Sequence, residues 1–219
     1  MEIGYEKYIK AEDEIYRSLN INIPQNKSTG NEEFDKGLNW ISDGVKNLFD
    51  FGCGNGTMIF YCSLRGVESL HGIDLSTEAI KLSKERAKLM KSGSYDFKVG
   101  SIRELKSISD EIYDGIILSN IVDNLKPKDA TELLGQAKRI LKSSGKILIK
   151  LNPYITEEQI KEWNIKIIEN NLLDDGLLLW NQTTEQWREL LQQYFKEEEF
   201  VDVYFPEHDQ HNRMFLMRK

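Results

Sequence analysis

The chain has 219 residues, 40% of them hydrophobic, and a formal net charge of −7 at pH 7. This length supports one domain with a substantial core, and the acidic balance disfavours nucleic acid as a partner, because proteins that follow a phosphate backbone usually present a basic face. Charged and apolar residues alternate from Met1 to Leu19 and no later apolar run reaches membrane-spanning length, so we expect a cytoplasmic protein with no membrane contact.

Two helices are predicted ahead of the first strand, on either side of a polar loop that ends at Gly30. Their apolar residues recur at helical spacing, and we expect most of them to belong to the core. The residues are Ile3, Tyr8, Ile15 and Leu19 before the loop, and Phe34, Leu38 and Ile41 after it.

Short β-rich runs alternate with helical patterns between about Asn47 and Leu151, which is typical of βαβ units and a parallel sheet. Ser76 and Pro127 are residue types that favour helix starts. Five strands are predicted, at Asn47–Phe51, Ser69–Asp74, Tyr95–Val99, Tyr113–Ser119 and Lys146–Leu151. Between them we predict helices at Gly56–Arg65, Thr77–Met90, Ile102–Leu105 and Lys128–Leu141.

An insert is predicted after the fifth strand, at residues 153–183. Thr156 and Gln159 have the spacing of a capping box. The apolar residues behind them recur at helical intervals, which predicts a helix that continues to Asn171.

The C-terminal part, residues 184–219, begins with an amphipathic helix from a second capping pair at Thr183 through Phe195. Two β-rich runs follow, Phe200–Phe205 and Arg213–Met217, and their seven-residue connection favours antiparallel pairing. The elements predict a single α/β domain with a doubly wound, seven-stranded, mostly parallel sheet and an antiparallel last strand. We expect residues 1–44 to form a helical lid, residues 45–152 to form the core, and the helical insert to lie after the fifth strand.

The most specific pattern is FDFGCGNG, residues 49–56, in which an apolar strand runs into three glycines as a helical pattern begins. Glycines at such a turn let the backbone approach a ligand closely, and free amides at the helix start offer it hydrogen bonds. The spacing is G-x-G-x-G after the acidic Asp50, whereas dinucleotide folds favour G-x-G-x-x-G. The pattern therefore predicts a nucleotide-like ligand and weakens the case for NAD. Cys53 lies in this turn, and with Cys62 as the second cysteine we expect reduced thiols.

Asp74 ends the second predicted strand, 22 residues beyond Gly52. A carboxylate at this sequence spacing can accept hydrogen bonds from both hydroxyls of an adenosine ribose, as acidic residues do in dinucleotide folds. Its alternative role is as a partner for the helix near Thr77, but Ser76 already supplies that cap. The ribose role is therefore favoured.

With this glycine turn and Asp74, the chain resembles the class I S-adenosylmethionine-dependent methyltransferases from about Asn47 onward. The resemblance implies S-adenosylmethionine as cofactor, with the turn from Asp50 to Gly56 around its methionine part, Asp74 on its ribose and Leu75 on its adenine. The cofactor-binding residues that the resemblance implies are Asp50, Gly52, Cys53, Gly54, Gly56, Asp74, Leu75, Ser101, Ile102, Asn120 and Ile121.

Two further regions carry the resemblance. The run YDGIILSNIVDNL is similar to the family's fourth strand and implies that Asn120 and Ile121 lie beside the methionyl end of the cofactor. After the third strand, the family often has an acidic residue that bonds the adenine amino group, whereas Ser101 stands here and the amide of Ile102 is the expected substitute. The NPY run, residues 152–154, is similar to the N-P-P-Y signature of amine-methylating enzymes. That signature belongs after the fourth strand, whereas this run follows the fifth, so we interpret it as a strand-ending turn.

Candidate catalytic residues are few. Methyl transfer is an in-line displacement from a sulfonium, so positioning supplies much of the rate and a base is needed only when the acceptor must lose a proton. His208 and His211 are candidate bases, because the pKa of imidazole lies near neutrality, and their alternative role is as solvent-exposed loop residues. No metal site is predicted.

The favoured function is methyl transfer to a small-molecule acceptor, with residues 1–44 as a lid over the acceptor pocket. A noncatalytic scaffold that binds S-adenosylmethionine and a protein methyltransferase are the alternatives. An NAD(P)-dependent reductase is less favoured, because it needs the longer glycine pattern.

Overall fold

The computed structural model describes residues 4–219, so the predicted helical position of Ile3 lies outside the described residues. Within that range ten strands and eight helices are formed. The strands are β1 (Asn47–Phe51), β2 (Ser69–Asp74), β3 (Ser94–Val99), β4 (Tyr113–Ser119), β5 (Leu141–Leu151), β6 (Lys166–Glu169), β7 (Leu172–Asp174), β8 (Leu178–Trp180), β9 (Lys196–Phe205) and β10 (Gln210–Arg218). The helices are α1 (Glu6–Ser18), α2 (Glu32–Ser42), α3 (Thr57–Leu64), α4 (Thr77–Ala87), α5 (Ile102–Leu105), α6 (Pro127–Ile140), α7 (Glu157–Glu162) and α8 (Thr184–Leu191).

Seven strands form one sheet in the order β3-β2-β1-β4-β5-β10-β9. The first five pair in parallel, and β10 runs antiparallel to both β5 and β9. The carboxyl ends of β1 to β5 and of β9 therefore lie along one edge, which we call the carboxyl edge. Strand order reverses between β1 and β4, the place where ligands bind in doubly wound sheets. The predicted fold class is confirmed.

Helices cover both faces of the sheet. On one face, α2, α3 and α4 pack around fully buried residues that include Leu38 and Ile59. On the other face, α5, α6 and α8 pack around Leu133 and Trp187. None of the helices in residues 4–219 has the length and apolarity that a membrane crossing requires.

The predicted helix starts are confirmed. The Ser76 hydroxyl accepts the Ala79 amide at 3.0 Å at the start of α4, and Pro127 is the first residue of α6. Thr156 and Thr183 each form the predicted capping box. These local signals place the helices that flank the carboxyl edge.

The insert has more strand than was predicted. Its helix α7 ends at Glu162, and the helix predicted to continue to Asn171 is wrong beyond that point, because β6, β7 and β8 form a three-stranded antiparallel sheet there. Asn164 and Asn170 have left-handed φ values of 51° and 49°, which break the helical path and turn the chain. Ile165 is buried in a small core that belongs to the insert alone.

The two N-terminal helices differ in burial. Leu38 and Ile41 of α2 are fully buried, as expected. By contrast, α1 has no buried residue, and Ile15 and Leu19 are 58% and 44% exposed, so the expectation that they belong to the core is wrong. At the other end of the chain, the antiparallel pair is confirmed, with a connection of only Pro206–Asp209 because β10 begins at Gln210, earlier than predicted.

Candidate functional site

A glycine turn joins β1 to α3 at the carboxyl edge. Gly52, Gly54 and Gly56 have φ values of 73°, 51° and 76°, in the left-handed region that favours glycine. The Gly52 amide donates a hydrogen bond of 2.8 Å to the Ile73 carbonyl, which fixes the turn to the end of β2. A Cβ on Gly52 would lie 2.8 Å from Ile121 Cγ1, so a side chain at this position would clash.

Asp74 lies beside this turn at the end of β2. Its Oδ2 accepts the Gly54 amide at 2.7 Å, and its Oδ1 accepts the Ser76 amide at 2.8 Å. Burial raises the pKa of this carboxyl group, and the amide hydrogen bonds oppose the rise. Each carboxylate oxygen can accept two hydrogen bonds and receives one from these two amides, so the carboxylate retains acceptor capacity for a ligand.

Asp50 precedes the turn within β1 and is 2% exposed. Its Oδ1 is buried and has no hydrogen-bond partner among the described residues. Burial, followed by repulsion from Asp74, raises the pKa of Asp50 well above its ordinary value. Burial also raises the pKa of the Cys53 thiol, and both Cys53 and Cys62 are free and buried.

The loop after β3 contains the predicted adenine-contacting residues. The Ser101 hydroxyl caps α5 by accepting the Arg103 amide at 3.2 Å, and the Glu104 carboxylate accepts the Ser101 amide at 2.5 Å. The Glu104 carboxylate therefore lies beside Ser101, three residues after the position at which the resemblance implies an acidic residue. Ile102 is buried, and Leu75 is half-buried after β2.

Asn120 follows β4 and has a left-handed φ of 52°. Its amide donates to the Lys150 carbonyl at 2.7 Å, and its side-chain Nδ2 donates to Asn152 Oδ1 at 2.8 Å. Its Oδ1 accepts a hydrogen bond from the Lys150 ammonium. The next residue, Ile121, packs against Gly52, so the end of β4 meets the glycine turn.

Helix α1 also lies at the carboxyl edge. Asp13 accepts hydrogen bonds from the Ser76 hydroxyl at 2.5 Å and from the Glu78 amide at 3.2 Å, both at the start of α4. Tyr16 lies against Gly54, where a Cβ would collide with the phenol oxygen. Sequence reasoning placed a lid in this segment but gave no reason to single out Asp13.

The other end of α1 reaches the insert. The Tyr5 hydroxyl donates to Asp129 Oδ2 at 2.7 Å in α6, and the Lys7 ammonium pairs with Asp174 in β7. Helix α1 therefore extends along the edge from the insert to α4.

Glu12 of α1 lies near the carboxylates of Asp74 and Asp13. Burial, followed by repulsion from Asp74 and Asp13, raises the pKa of Glu12 to about 7. The side chains around the glycine turn thus form an acidic environment, which suits a positively charged ligand that donates hydrogen bonds.

A groove of about 890 Å³ lies between the insert and the β9–β10 hairpin, and we call it the insert groove. Its lining combines aromatic and aliphatic side chains with many amide, charged and imidazole groups. Among them are Asn152, Tyr154, Trp163, Phe200, His211 and Arg213.

Both predicted candidate bases line the insert groove, but their surroundings differ. His211 Nδ1 lies 3.0 Å from Asp202 Oδ2, and its ring stacks on Tyr204 with the centroids 4.6 Å apart. Among the described residues, His208 has a backbone contact only, from its amide to the Phe205 carbonyl at 3.2 Å. Because β9 runs parallel to β5, the hairpin loop emerges at the carboxyl edge, as expected.

Asn152 connects the insert groove to the end of β4. Its amide donates to Asp123 Oδ2 at 2.6 Å, and Arg213 Nη2 donates to its carbonyl at 2.8 Å. Its Oδ1 accepts the hydrogen bond from Asn120. Asn152 is thus more than the strand-ending residue that the NPY run suggested.

A family model described as a methyltransferase domain matches residues 42–199 of the chain. The chain belongs to this methyltransferase family. Several solved structures share the fold of the methyltransferase. The PH0226 protein from Pyrococcus horikoshii OT3 has a TM-score of 0.71 at 21% identity, with 94% of this chain and 98% of that chain covered. A search of curated proteins gave no match.

Two further solved structures have the same fold and descriptive names. The N-methyltransferase NodS from Bradyrhizobium japonicum WM9, in complex with S-adenosylhomocysteine, has a TM-score of 0.69 at 15% identity, with 96% of this chain and 98% of that chain covered. An S-adenosylmethionine-dependent methyltransferase from Methanosarcina mazei has a TM-score of 0.66 at 19% identity, with 79% and 92% covered.

The methyltransferase uses S-adenosylmethionine as its methyl donor, and the side chains at the glycine turn fit that cofactor. Asp74 keeps acceptor capacity for ribose hydroxyls, and the buried Asp50 Oδ1 receives no hydrogen bond from any described residue. The NAD(P)-dependent reductase alternative is set aside. Within residues 4–219, no cluster of three His, Cys, Asp or Glu side chains is arranged to hold a metal ion.

Proposed function

We propose that this methyltransferase transfers the methyl group of S-adenosylmethionine to a small-molecule acceptor that binds in the insert groove. The groove carries the proposal, since its volume of about 890 Å³ falls within the range of roughly 300–1,000 Å³ that is typical of small-molecule pockets. Asn152 lines the groove and bonds Asn120, so an acceptor there adjoins the end of β4.

The cofactor is proposed to bind at the glycine turn. Asp74 accepts the ribose hydroxyls, Leu75 packs on the adenine, and the turn from Asp50 to Gly56 surrounds the methionine part. The full proposed set is Asp50, Gly52, Cys53, Gly54, Gly56, Asp74, Leu75, Ser101, Ile102, Asn120 and Ile121. Support comes from the unpartnered Asp50 Oδ1, the acceptor positions of Asp74 and the contact between Ile121 and Gly52.

In the proposed mechanism, a cofactor held at the glycine turn would supply a methyl group on a sulfonium. The acceptor atom would attack the methyl carbon in line as the C–S bond breaks and the thioether leaves. The residues of the chain position that atom and exclude water. Helix α1 covers the edge through Tyr16, and His211 accepts the proton that a hydroxyl or amine acceptor loses. Asp202 holds Nδ1 of this imidazole, which leaves Nε2 as the basic atom.

The proposed location is the cytoplasm. Cys53 and Cys62 are free and buried. Unpaired thiols of this kind agree with a reducing compartment.

Label transfer tests the proposed function. The purified protein is incubated with methyl-labelled S-adenosylmethionine and with a cell extract that has been separated into small-molecule and macromolecular fractions. Label in a small-molecule product supports the proposal. Label found in protein alone contradicts it and indicates a protein methyltransferase.

A pair of variants then tests the groove. Trp163 lines it and is 55% exposed, whereas Ile168 is 46% exposed in the same insert and is not part of its lining. Trp163→Ala is expected to raise the KM for the acceptor, and Ile168→Ala is expected to leave it unchanged. Equal KM values in the two variants and the wild type would place the acceptor elsewhere.

A further inference from the structure

Lys150 is a buried cation next to the proposed methyl-transfer site. It is the penultimate residue of β5, opposite Ser119 of β4, and it is 7% exposed. Its ammonium reaches past the end of β4 to donate a hydrogen bond to Asn120 Oδ1. The charge therefore lies at the carboxyl edge, on the sheet face that packs against α2.

The surroundings of this ammonium are mostly aromatic. Its Nζ lies 5.9 Å from the Phe34 ring centroid and 5.8 Å from that of Phe205. Among residues 4–219, no carboxylate comes within 4.0 Å of it, and Asp123 is the acidic group that acts on it from a greater distance. An ammonium has three N–H donors, and Asn120 takes one of them.

Lys146 is a second buried lysine on the same face of β5, and its role is structural. Lys146 lies midway along β5, nearer the amino end of the sheet, and its ammonium donates to the carbonyls of Trp40 and Asp43 at 2.8 and 2.6 Å. The Asp43 carboxylate is 3.7 Å away. Lys146 is thus satisfied by the fold, whereas Lys150 has donors to spare.

A charged ammonium in apolar surroundings lowers stability unless a partner compensates its desolvation. Burial lowers the pKa of Lys150 to about 8, and Asp123 opposes the shift. The side chain therefore still carries its charge at neutral pH. An anion that enters the cleft would find both a charge and free donors there.

We propose that Lys150 binds a carboxylate at the Asn120 end of the active site. This inference rests on the proposed function, which puts the methionyl end of the cofactor beside Asn120. The carboxylate has two possible sources, the amino-acid part of the cofactor or an acidic acceptor.

Lysine NMR tests the proposal on the wild-type protein. The Lys150 side-chain resonance is assigned with Lys150→Met, and its pKa is measured without ligand, with saturating S-adenosylhomocysteine, with 5′-methylthioadenosine, and with S-adenosylhomocysteine plus acetate. The thioadenosine has no amino-acid part. A paired carboxylate is expected to raise the pKa of Lys150 by about one unit or more, while that of Lys146 stays constant.

The outcomes separate the two sources. A rise with S-adenosylhomocysteine but not with the thioadenosine supports the proposal and identifies the carboxylate of the cofactor. A saturable rise that needs acetate supports it and identifies an acidic acceptor. No rise in any sample, or an equal rise with both nucleosides, overturns it. Failure of both nucleosides to bind instead contradicts the proposed function.

Two methionine variants provide an independent check by calorimetry. If the cofactor supplies the carboxylate, Lys150→Met should lose about tenfold or more in affinity for S-adenosylhomocysteine and keep its affinity for the thioadenosine. Lys146→Met should keep both affinities. A purely structural role for Lys150 predicts instead a lowered melting temperature and equal losses for both nucleosides.

Discussion

His211 Nδ1 lies 3.0 Å from Asp202 Oδ2 across the β9–β10 pair, at the rim of the insert groove. A carboxylate at one ring nitrogen fixes the orientation and tautomer of an imidazole and leaves the other nitrogen to accept a proton. Within residues 4–219 no such partner holds His208, whose contact with the hairpin is through its backbone amide.

This difference predicts different effects of substituting the two histidines. With a hydroxyl or amine acceptor from the label-transfer screen, His211→Asn should lower kcat by roughly a hundredfold or more and leave the affinity for S-adenosylhomocysteine unchanged. His208→Asn serves as the matched control and should retain near-normal turnover. Equal turnover in both variants would contradict a base role for His211.

Glu12 predicts a pH dependence of stability. Its pKa is raised from 4.5 to about 7 in the folded protein, so the folded state holds a proton that the unfolded state releases in this window. The contribution of Glu12 to the free energy of unfolding therefore falls as pH rises from 4.5 to about 7. The free energy of unfolding is measured in urea for the wild type and for Glu12→Gln. The value for the wild type minus that for the variant should decline through this pH window and level off above it.

Glu14 provides the control for this measurement, since it is exposed on the same helix. The free energy of unfolding of Glu14→Gln should differ from that of the wild type by the same amount at every pH in this window. A parallel decline for both variants would mean that the effect belongs to the net charge of α1 and not to the site of Glu12.

Helix α1 is predicted to close over the bound cofactor. No residue within it is buried, and its contacts to the cleft are made by Asp13 and Tyr16. A segment with so little buried surface opens at low cost, and a ligand beneath it stabilises the closed state. Hydrogen exchange of residues 6–18 should slow when S-adenosylhomocysteine is added. Equal exchange with and without it would contradict a lid role.

The fold was predictable where local signals set it. The strands alternating with helices, the caps at Ser76, Thr156 and Thr183, and the glycine turn depend on residues a few positions apart, and all are present. The insert was harder, because isoleucines at helical spacing also suit short strands and the turns depend on left-handed Asn164 and Asn170.

The site was predictable only in part. Asp74 and the glycine turn are adjacent because neighbouring parallel strands end at one edge. The raised pKa of Glu12, the hydrogen bond between Asn120 and Asn152, and the buried Lys150 ammonium depend on residues far apart in sequence. No local pattern encodes such burial.

The central claim is that the cofactor of this methyltransferase binds at the glycine turn with its ribose on Asp74. Asp114 offers a matched control, because it also accepts backbone amides, from Asn47 at 2.9 Å and Lys46 at 3.3 Å, but at the amino end of the sheet. Substituting either aspartate removes a carboxylate that fixes a strand end. Of these two aspartates, Asp74 adjoins the glycine turn and Asp114 does not.

Calorimetry with S-adenosylhomocysteine therefore tests the claim most directly. Asp74→Ala should weaken binding by about 1–3 kcal/mol, roughly 5- to 150-fold, for the loss of charge-assisted hydrogen bonds. Asp114→Ala should bind as the wild type does. Unchanged affinity in Asp74→Ala, or an equal loss in both variants, would contradict the placement of the ribose on Asp74.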